Sequence, residues 1–220
     1  MPNLLFRRRE YSADSKREAI GRLLANSIPD RDFYFLVIGA VAFALAAIFT
    51  DSIAVLIGAM IVAPLAYPIL SLGLSLIVFD IRLMIRSFLM LLISLVFSLV
   101  FAFLGTLLFG HVRVDPVFIS FGGNLWVATA VAIIAGAIAA YGLVRAKVGN
   151  AMTGIGIAVS LMPPLVATGV GVADGDFVFA MQTFSIYLVN VLGILIASSI
   201  VFATFGLRKE YKNMNAGIDV

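Results

Sequence analysis

Long runs of apolar residues, separated by short polar connections, dominate the chain after residue 32. Six of these runs are long enough to cross a bilayer as helices, which takes about 20 residues each. They cover roughly 33–49, 52–79, 83–109, 125–144, 148–173 and 177–205. The pattern predicts an all-α, polytopic integral membrane protein with six transmembrane helices.

The second and fifth runs carry prolines near their middle. Pro64 and Pro68 lie in the second run, and Pro163 and Pro164 lie in the fifth. Each proline removes a backbone donor and clashes with the preceding turn. We therefore expect both helices to be broken at membrane depth, where free backbone groups need cover from protein or a wet cavity.

The two proline segments are related by a shift of 99 residues, which places Pro64 on Pro163 and Asp51 on Asn150. Three helices in each half would make the halves enter the membrane in opposite orientations. We expect two inverted three-helix repeats, an arrangement common in transporters. The predicted organisation is a basic, amphipathic segment at 1–32, a first repeat at 33–109, an outer loop at 110–124, a second repeat at 125–205 and a tail at 206–220.

Basic residues are concentrated in the connections that would share one side of the membrane. All but Arg113 of the 15 Lys and Arg residues lie in the N-terminal segment, in the connections after helices two and four, or in the tail. Such an excess marks the cytoplasmic side, so we expect both termini to be cytoplasmic. The formal charge of +3 therefore reflects topology and does not indicate nucleic-acid binding.

The N-terminal segment contains one amphipathic stretch. Ser15 and Glu18 have capping-box spacing, and Ile20 and Leu23 follow at helical intervals before Pro29. One interpretation is a short helix on the inner membrane face, and the other is a basic topogenic tail.

Composition removes several classes of function. With 62% hydrophobic residues and a mean hydropathy of +1.12, the chain cannot bury its apolar surface as a soluble domain. Cysteine is absent, no charged residue lies well inside an apolar run, and His111 is the only histidine. Zinc sites and Ser-His-Asp sites lack their residues. We expect neither an enzyme nor a bound metal or cofactor.

Neutral polar residues near the proline segments are the candidate binding groups. Asn190 is the strongest polar residue within the apolar runs, and hydroxyl groups lie beside the prolines. The candidate contacts to a solute are Asn190, Tyr67, Ser71, Ser160 and Thr168, and the candidate helix breaks are Gly58, Pro64, Pro68, Pro163 and Pro164. In the alternative interpretation, the hydroxyls satisfy backbone groups freed by proline and Asn190 bridges helices.

Two signatures resemble a known family. IGAMIVAPLAYPILSLGLSL at 57–76 and GIAVSLMPPLVATGVGVADGD at 156–176, followed by Asn190, are similar to the uncharacterised membrane proteins of domain of unknown function 389. The likeness covers about 33–205, and Tyr67 stands where relatives more often have a small residue or Met. It implies a prokaryotic-type protein of the inner membrane and leaves the activity open.

Two functions follow from these features. The first is a transporter or channel-like protein that binds a small polar solute or ion, neutral or anionic, between the two broken helices. The alternative is a membrane scaffold or sensor that recruits a partner or anionic lipid through its basic N-terminal helix. Glycine-rich helix faces also predict a homo-oligomer in the lipid bilayer.

Overall fold

The computed structural model describes the backbone of residues 13–110, 124–145 and 150–216 and the side chains of these residues except 150–160 and 215–216. Every regular element in these ranges is a helix. The helices are α1 (Ala13–Ala25), α2 (Arg31–Thr50), α3 (Ile53–Val62), α4 (Ala66–Val78), α5 (Ile81–Phe109), α6 (Leu125–Val144), α7 (Asn150–Ala173), α8 (Phe177–Thr204) and α9 (Leu207–Ala216).

The polar residues at the ends of the apolar runs start the helices. Asp30, Asp80 and Asp176 each accept a hydrogen bond from the backbone N–H three residues later. Asn124 accepts from the backbone of Trp126 and Val127 in the same way. These caps satisfy amides that a helix leaves free at its N-terminus. The sharp polar boundaries therefore fix where α2, α5, α6 and α8 begin.

The described residues provide four helices that are long and apolar enough to cross a membrane: α2, α5, α6 and α8. A fifth is added if α3 and α4, which meet at a bend of 51°, form one span. Large apolar side chains cover the outer surface of these helices, as a lipid environment requires. The chain is therefore a helical membrane protein.

Two segments that contain prolines form the centre of the bundle. Leu161–Val170 in α7 and Pro68–Ser75 in α4 are buried on every side. α7 packs against α3, α5, α6 and α8, whereas α4 packs mainly against α5 and α8. The stretch that begins at Pro68 and the stretch that contains Pro163 and Pro164 are therefore enclosed by other helices.

One end of the bundle, here called the basic end, is formed by α1, the α4–α5 turn and α9. The apolar side of α1 contacts the protein itself, and Ile20 and Leu23 are fully buried. The Arg17 guanidinium forms an ion pair with Glu210 of α9 at 2.6 Å. The structure thus contains an amphipathic helix in the N-terminal segment, with its apolar face covered by α4, α6 and α9.

The α4–α5 turn is tied to α9 by one hydrogen bond. The buried Tyr211 hydroxyl donates to Asp80 Oδ2, while Asp80 Oδ1 caps α5. The bond from Tyr211 is the main cause that lowers the pKa of Asp80 below its usual value of 3.8. A lowered carboxyl pKa means that ionised Asp80 stabilises the fold.

Replacing Tyr211 should therefore destabilise the protein in a pH-dependent way. Tyr211→Phe is expected to lower the free energy of unfolding by on the order of 1 kcal/mol at neutral pH. The stabilisation by Asp80 is complete above pH 3.8 and is lost as the pH falls through its lowered pKa, so the two proteins should converge in acid. Thermal unfolding in detergent across this range measures the effect, and Tyr34→Phe is the control. A stability difference between wild-type protein and Tyr211→Phe that stays the same at every pH would contradict this prediction.

Candidate functional site

The break between α3 and α4 lies at 63–65 and contains Pro64. Ala63 has an extended backbone with φ −61° and ψ 121°, as expected for a residue before proline. Pro68 lies in the first turn of α4, where a missing N–H costs little, and Gly58 lies inside α3. The expected break in the second apolar run is present, with Pro64 as its cause.

The expected break at Pro163 and Pro164 is absent, because α7 continues through both residues. The fixed φ of proline is compatible with a helix, and its cost is the lost hydrogen bonds and the clash with the preceding turn. The surrounding helices bury this part of α7 completely, so the freed carbonyls are not exposed to lipid. Packing therefore maintains a helix that the proline pair alone predicts to be broken.

Asn190 lies near the middle of α8 and is fully buried. One turn away, the buried Tyr187 stacks on Phe184 with ring centroids 6.2 Å apart. Asn190 is thus enclosed by the protein in this conformation.

Thr168 connects α7 to α8. Its hydroxyl lies 2.9 Å from that of Thr183, and both side chains are buried. Thr168 also donates to the Pro164 carbonyl at 2.7 Å, and Thr183 donates to carbonyls of α8. In this conformation the Thr168 side chain bonds to the protein itself.

Ser71 connects α4 to α1, since its buried hydroxyl donates to the Leu23 carbonyl at 3.1 Å. Thr168, in contrast, bonds within α7 and lies against Thr183 of α8. The hydroxyls of Ser71 and Thr168 thus bond to different elements, and no hydrogen bond joins them in the described residues. Tyr67 is half-buried against the main core, and the Ser160 side chain lies outside the described residues.

A row of hydroxyl groups on α5 was not among the residues expected from sequence. This hydroxyl stripe consists of Ser87, Ser94, Ser98 and Thr106, all fully buried. From Ser87 to Thr106 the stripe covers 19 residue-to-residue steps of the helix, or roughly 28 Å, nearly the thickness of the hydrocarbon core. Hydroxyl or small residues at intervals of four from Ser94 were the sequence signal that could have revealed it.

The hydroxyls of the stripe fall into two groups. Ser94 and Thr106 donate to carbonyls one turn earlier in α5, at 2.8 and 2.9 Å. Among the described residues, the hydroxyl oxygens of Ser87 and Ser98 have no hydrogen-bond partner. A buried polar group without a partner costs free energy, so these two positions are candidates for binding a polar solute.

The buried face of α5 packs against α7 at a very short distance. A Cβ atom added to Gly169 would lie 2.5 Å from Ala102 Cβ and 3.1 Å from the Leu99 carbonyl oxygen. Ala102 lies on the same face of α5 as the hydroxyl stripe, between Ser98 and Thr106. The stripe therefore borders the central helix of the bundle.

Two clefts, each of about 550 Å³, are lined neither by Asn190 nor by the residues of the hydroxyl stripe. The first lies between α2 and α5 and is almost entirely apolar, with Leu45, Phe49 and Phe101 among its lining residues. The second lies at the basic end between the α4–α5 turn and α9. The first suits acyl chains, whereas the second combines charged and apolar side chains.

Comparison with known proteins places these features in a family. The uncharacterized protein MJ0678 of Methanocaldococcus jannaschii is 26% identical over 167 residues, covering 74% of this chain and 51% of that protein. The chain thus spans about half the length of this relative. No solved structure matches the chain. The model of the family described as Domain of unknown function (DUF389) matches residues 60–196, and the chain belongs to this family.

Proposed function

We propose that the protein is a membrane transport protein for a small polar solute or ion, which passes along the buried face of α5 beside α7. The observation that carries this proposal is the hydroxyl stripe, which extends for about the thickness of a bilayer core. A helix that only packs in the membrane has little need for unpartnered hydroxyls at Ser87 and Ser98.

The packing of the two halves supports the expected inverted repeat. The glycine that follows the first proline segment, Gly73, contacts Ser198 of α8, and the Ser199 hydroxyl donates to the Gly73 carbonyl at 3.2 Å. The glycine that follows the second, Gly169, contacts Ala102 of α5. Each middle helix thus packs through a glycine on the last helix of the other half. This reciprocity is expected of six spans in two inverted repeats, and it supports such an assembly.

The chemistry of the stripe indicates the class of solute. Hydroxyl groups donate and accept hydrogen bonds, and the stripe itself carries no charged side chain. A small neutral solute or a weakly hydrated anion fits such a path better than a divalent cation, which prefers carboxylate oxygens. We propose transport at the inner membrane with both termini cytoplasmic and with the solute contacting Ser87 and Ser98.

The alternative role as a scaffold or sensor has less support. Its recruiting element is the N-terminal helix, but Ile20 and Leu23 of that helix are already buried against the protein. A partner that needed this apolar face would first have to displace α1. The exposed polar face of α1 remains for contacts through charge alone.

Flux measurements in proteoliposomes test the transport proposal. We expect wild-type protein to accelerate the entry of urea, glycerol or a small monovalent anion over protein-free liposomes. Ser98→Leu should lower this flux at least fivefold, because an isobutyl group replaces the hydroxyl in the middle of the stripe. Ser185→Leu is the control, since Ser185 is exposed on α8 and bonds only to its own helix in the described structure.

Stability measurements separate loss of the path from loss of the fold. Ser98→Ala removes a buried hydroxyl without a partner, so it should leave the free energy of unfolding unchanged or raise it by about 1 kcal/mol. The same variant should still reduce flux. Wild-type flux in both Ser98 variants would contradict the proposed path.

A further inference from the structure

The cleft at the basic end has the composition of a lipid headgroup site. It is about 550 Å³ in volume. Its lining residues are Val78, Phe79, Asp80, Ile81, Arg82, Tyr211 and Lys212. We propose that this cleft binds the phosphate of an anionic phospholipid through Arg82 and Lys212. The inference does not depend on the proposed transport.

The position of the cleft along the bundle favours a lipid over a soluble ligand. It lies where α5 begins, so Ile81 is the first residue of a membrane-crossing helix. Phe79 and Ile81 are 73% and 66% exposed, beside the charged residues. Exposed apolar side chains at this level can contact acyl chains while the neighbouring cations meet the headgroup.

Phe79 is held in an outward position by the turn. Its backbone is left-handed, with φ 61° and ψ 37°, and its N–H donates to the Ser75 carbonyl to end α4. The Arg208 guanidinium lies 4.9 Å from the centre of the Phe79 ring. The cation–π contact with Phe79 therefore places the Arg208 guanidinium, a third cation, beside the cleft at the boundary between apolar and polar surface.

The acidic groups near the cleft are engaged by the protein. Asp80 accepts from Leu83 N–H through one carboxylate oxygen and from the Tyr211 hydroxyl through the other. Glu210 of α9 is paired with Arg17 of α1. Arg82 and Lys212 are both exposed. In the cleft lining two cations, Arg82 and Lys212, face the single carboxylate of Asp80, so the lining carries a net positive charge. This charge complements a phosphate diester and disfavours the choline group of a zwitterionic lipid.

Lipid titration of the purified full-length chain in detergent tests this site. Bound lipid is counted by native mass spectrometry, with phosphatidylglycerol compared with phosphatidylcholine of the same acyl chains. We expect wild-type protein to prefer phosphatidylglycerol, and Arg82→Gln/Lys212→Gln to weaken its binding roughly tenfold. Arg31→Gln/Lys209→Gln is the matched control, because it removes two exposed charges that do not line the cleft and should leave binding unchanged.

Three results would overturn the proposal. Equal binding of the two lipids to wild-type protein would show that the cleft does not select an anionic headgroup. Equal losses in the two double variants would show diffuse attraction to the basic end and no defined site. Displacement of phosphatidylglycerol by inorganic phosphate at constant ionic strength would identify a free phosphate as the ligand.

Discussion

Gly136→Ala is expected to lower the free energy of unfolding by about 1–3 kcal/mol, although it adds only one methyl group. A Cβ atom at this position would lie 2.7 Å from Ile194 Cα and 2.8 Å from the Ile194 carbonyl oxygen. Both are backbone atoms of α8, so no side-chain rotation can make room. The contact is reciprocal, since a Cβ atom at Gly193 would lie 3.1 Å from Ala132 Cβ in α6. The added methyl group must therefore push α6 and α8 apart.

Gly58→Ala provides the matched control for this substitution. Gly58 also lies inside an apolar helix, but a Cβ atom there would meet no atom within 4 Å. Alanine has the higher helix propensity, so this variant should be neutral or stabilised by up to about 1 kcal/mol. Thermal unfolding in detergent, followed by circular dichroism and by the monodisperse fraction in size-exclusion chromatography, compares the two. Equal midpoints would show that α6 and α8 can separate without cost.

The different fates of the two proline segments show what local sequence can predict. Pro64 ends α3 because it restricts Ala63 to an extended backbone, and this effect depends only on neighbouring residues. Pro163 and Pro164 carry the same local signal, but α5, α6 and α8 enclose them and α7 stays helical. The prediction of a broken fifth helix was wrong because contacts distant in sequence decide the outcome there.

The N-terminal segment illustrates a second limit. The spacing of Ile20 and Leu23 predicted an amphipathic helix, and α1 is present. The pattern alone could not distinguish a face covered by lipid from one covered by protein. The partners that settle this question, Ser71 and Glu210, lie 48 and 193 residues away from their contacts in α1.

The hydroxyl stripe could not be recognised by proximity to proline, because its residues lie in an apolar run that contains no proline. Ser87, Ser94 and Ser98 are scattered singly through a very apolar run. Serine in such a run is usually assigned to helix packing or to bonding with its own helix, as Ser94 indeed does. Only the structure shows that these hydroxyls share one buried face and that two of them have no partner among the described residues.

Ile20→Asp is expected to detach α1 from the bundle. Ile20 is fully buried, and a carboxylate without a buried partner there would cost several kcal/mol, more than the docking of one short helix can supply. Limited trypsin digestion in detergent detects the release, because Leu23 is fully buried in the docked helix and cleavage after Arg22 needs a free chain. We expect this cleavage to become at least tenfold faster.

Gly21→Asp is the control for the release of α1. It adds the same charge to the neighbouring position of the same helix, where a Cβ atom meets nothing within 4 Å. Its cleavage after Arg22 should match that of wild-type protein, and equal rates in the two Asp variants would show that the docking of α1 does not depend on Ile20.

The same pair of variants separates the two proposed functions. α1 contacts α4 and α6, which both pack against α7, and the Leu23 carbonyl accepts the Ser71 hydroxyl. If a solute follows α5 and α7, release of α1 loosens the two helices that pack beside α7, so Ile20→Asp should raise flux in proteoliposomes while Gly21→Asp does not. If α1 instead recruits a partner, its release changes partner binding and leaves flux at the protein-free level in all three proteins.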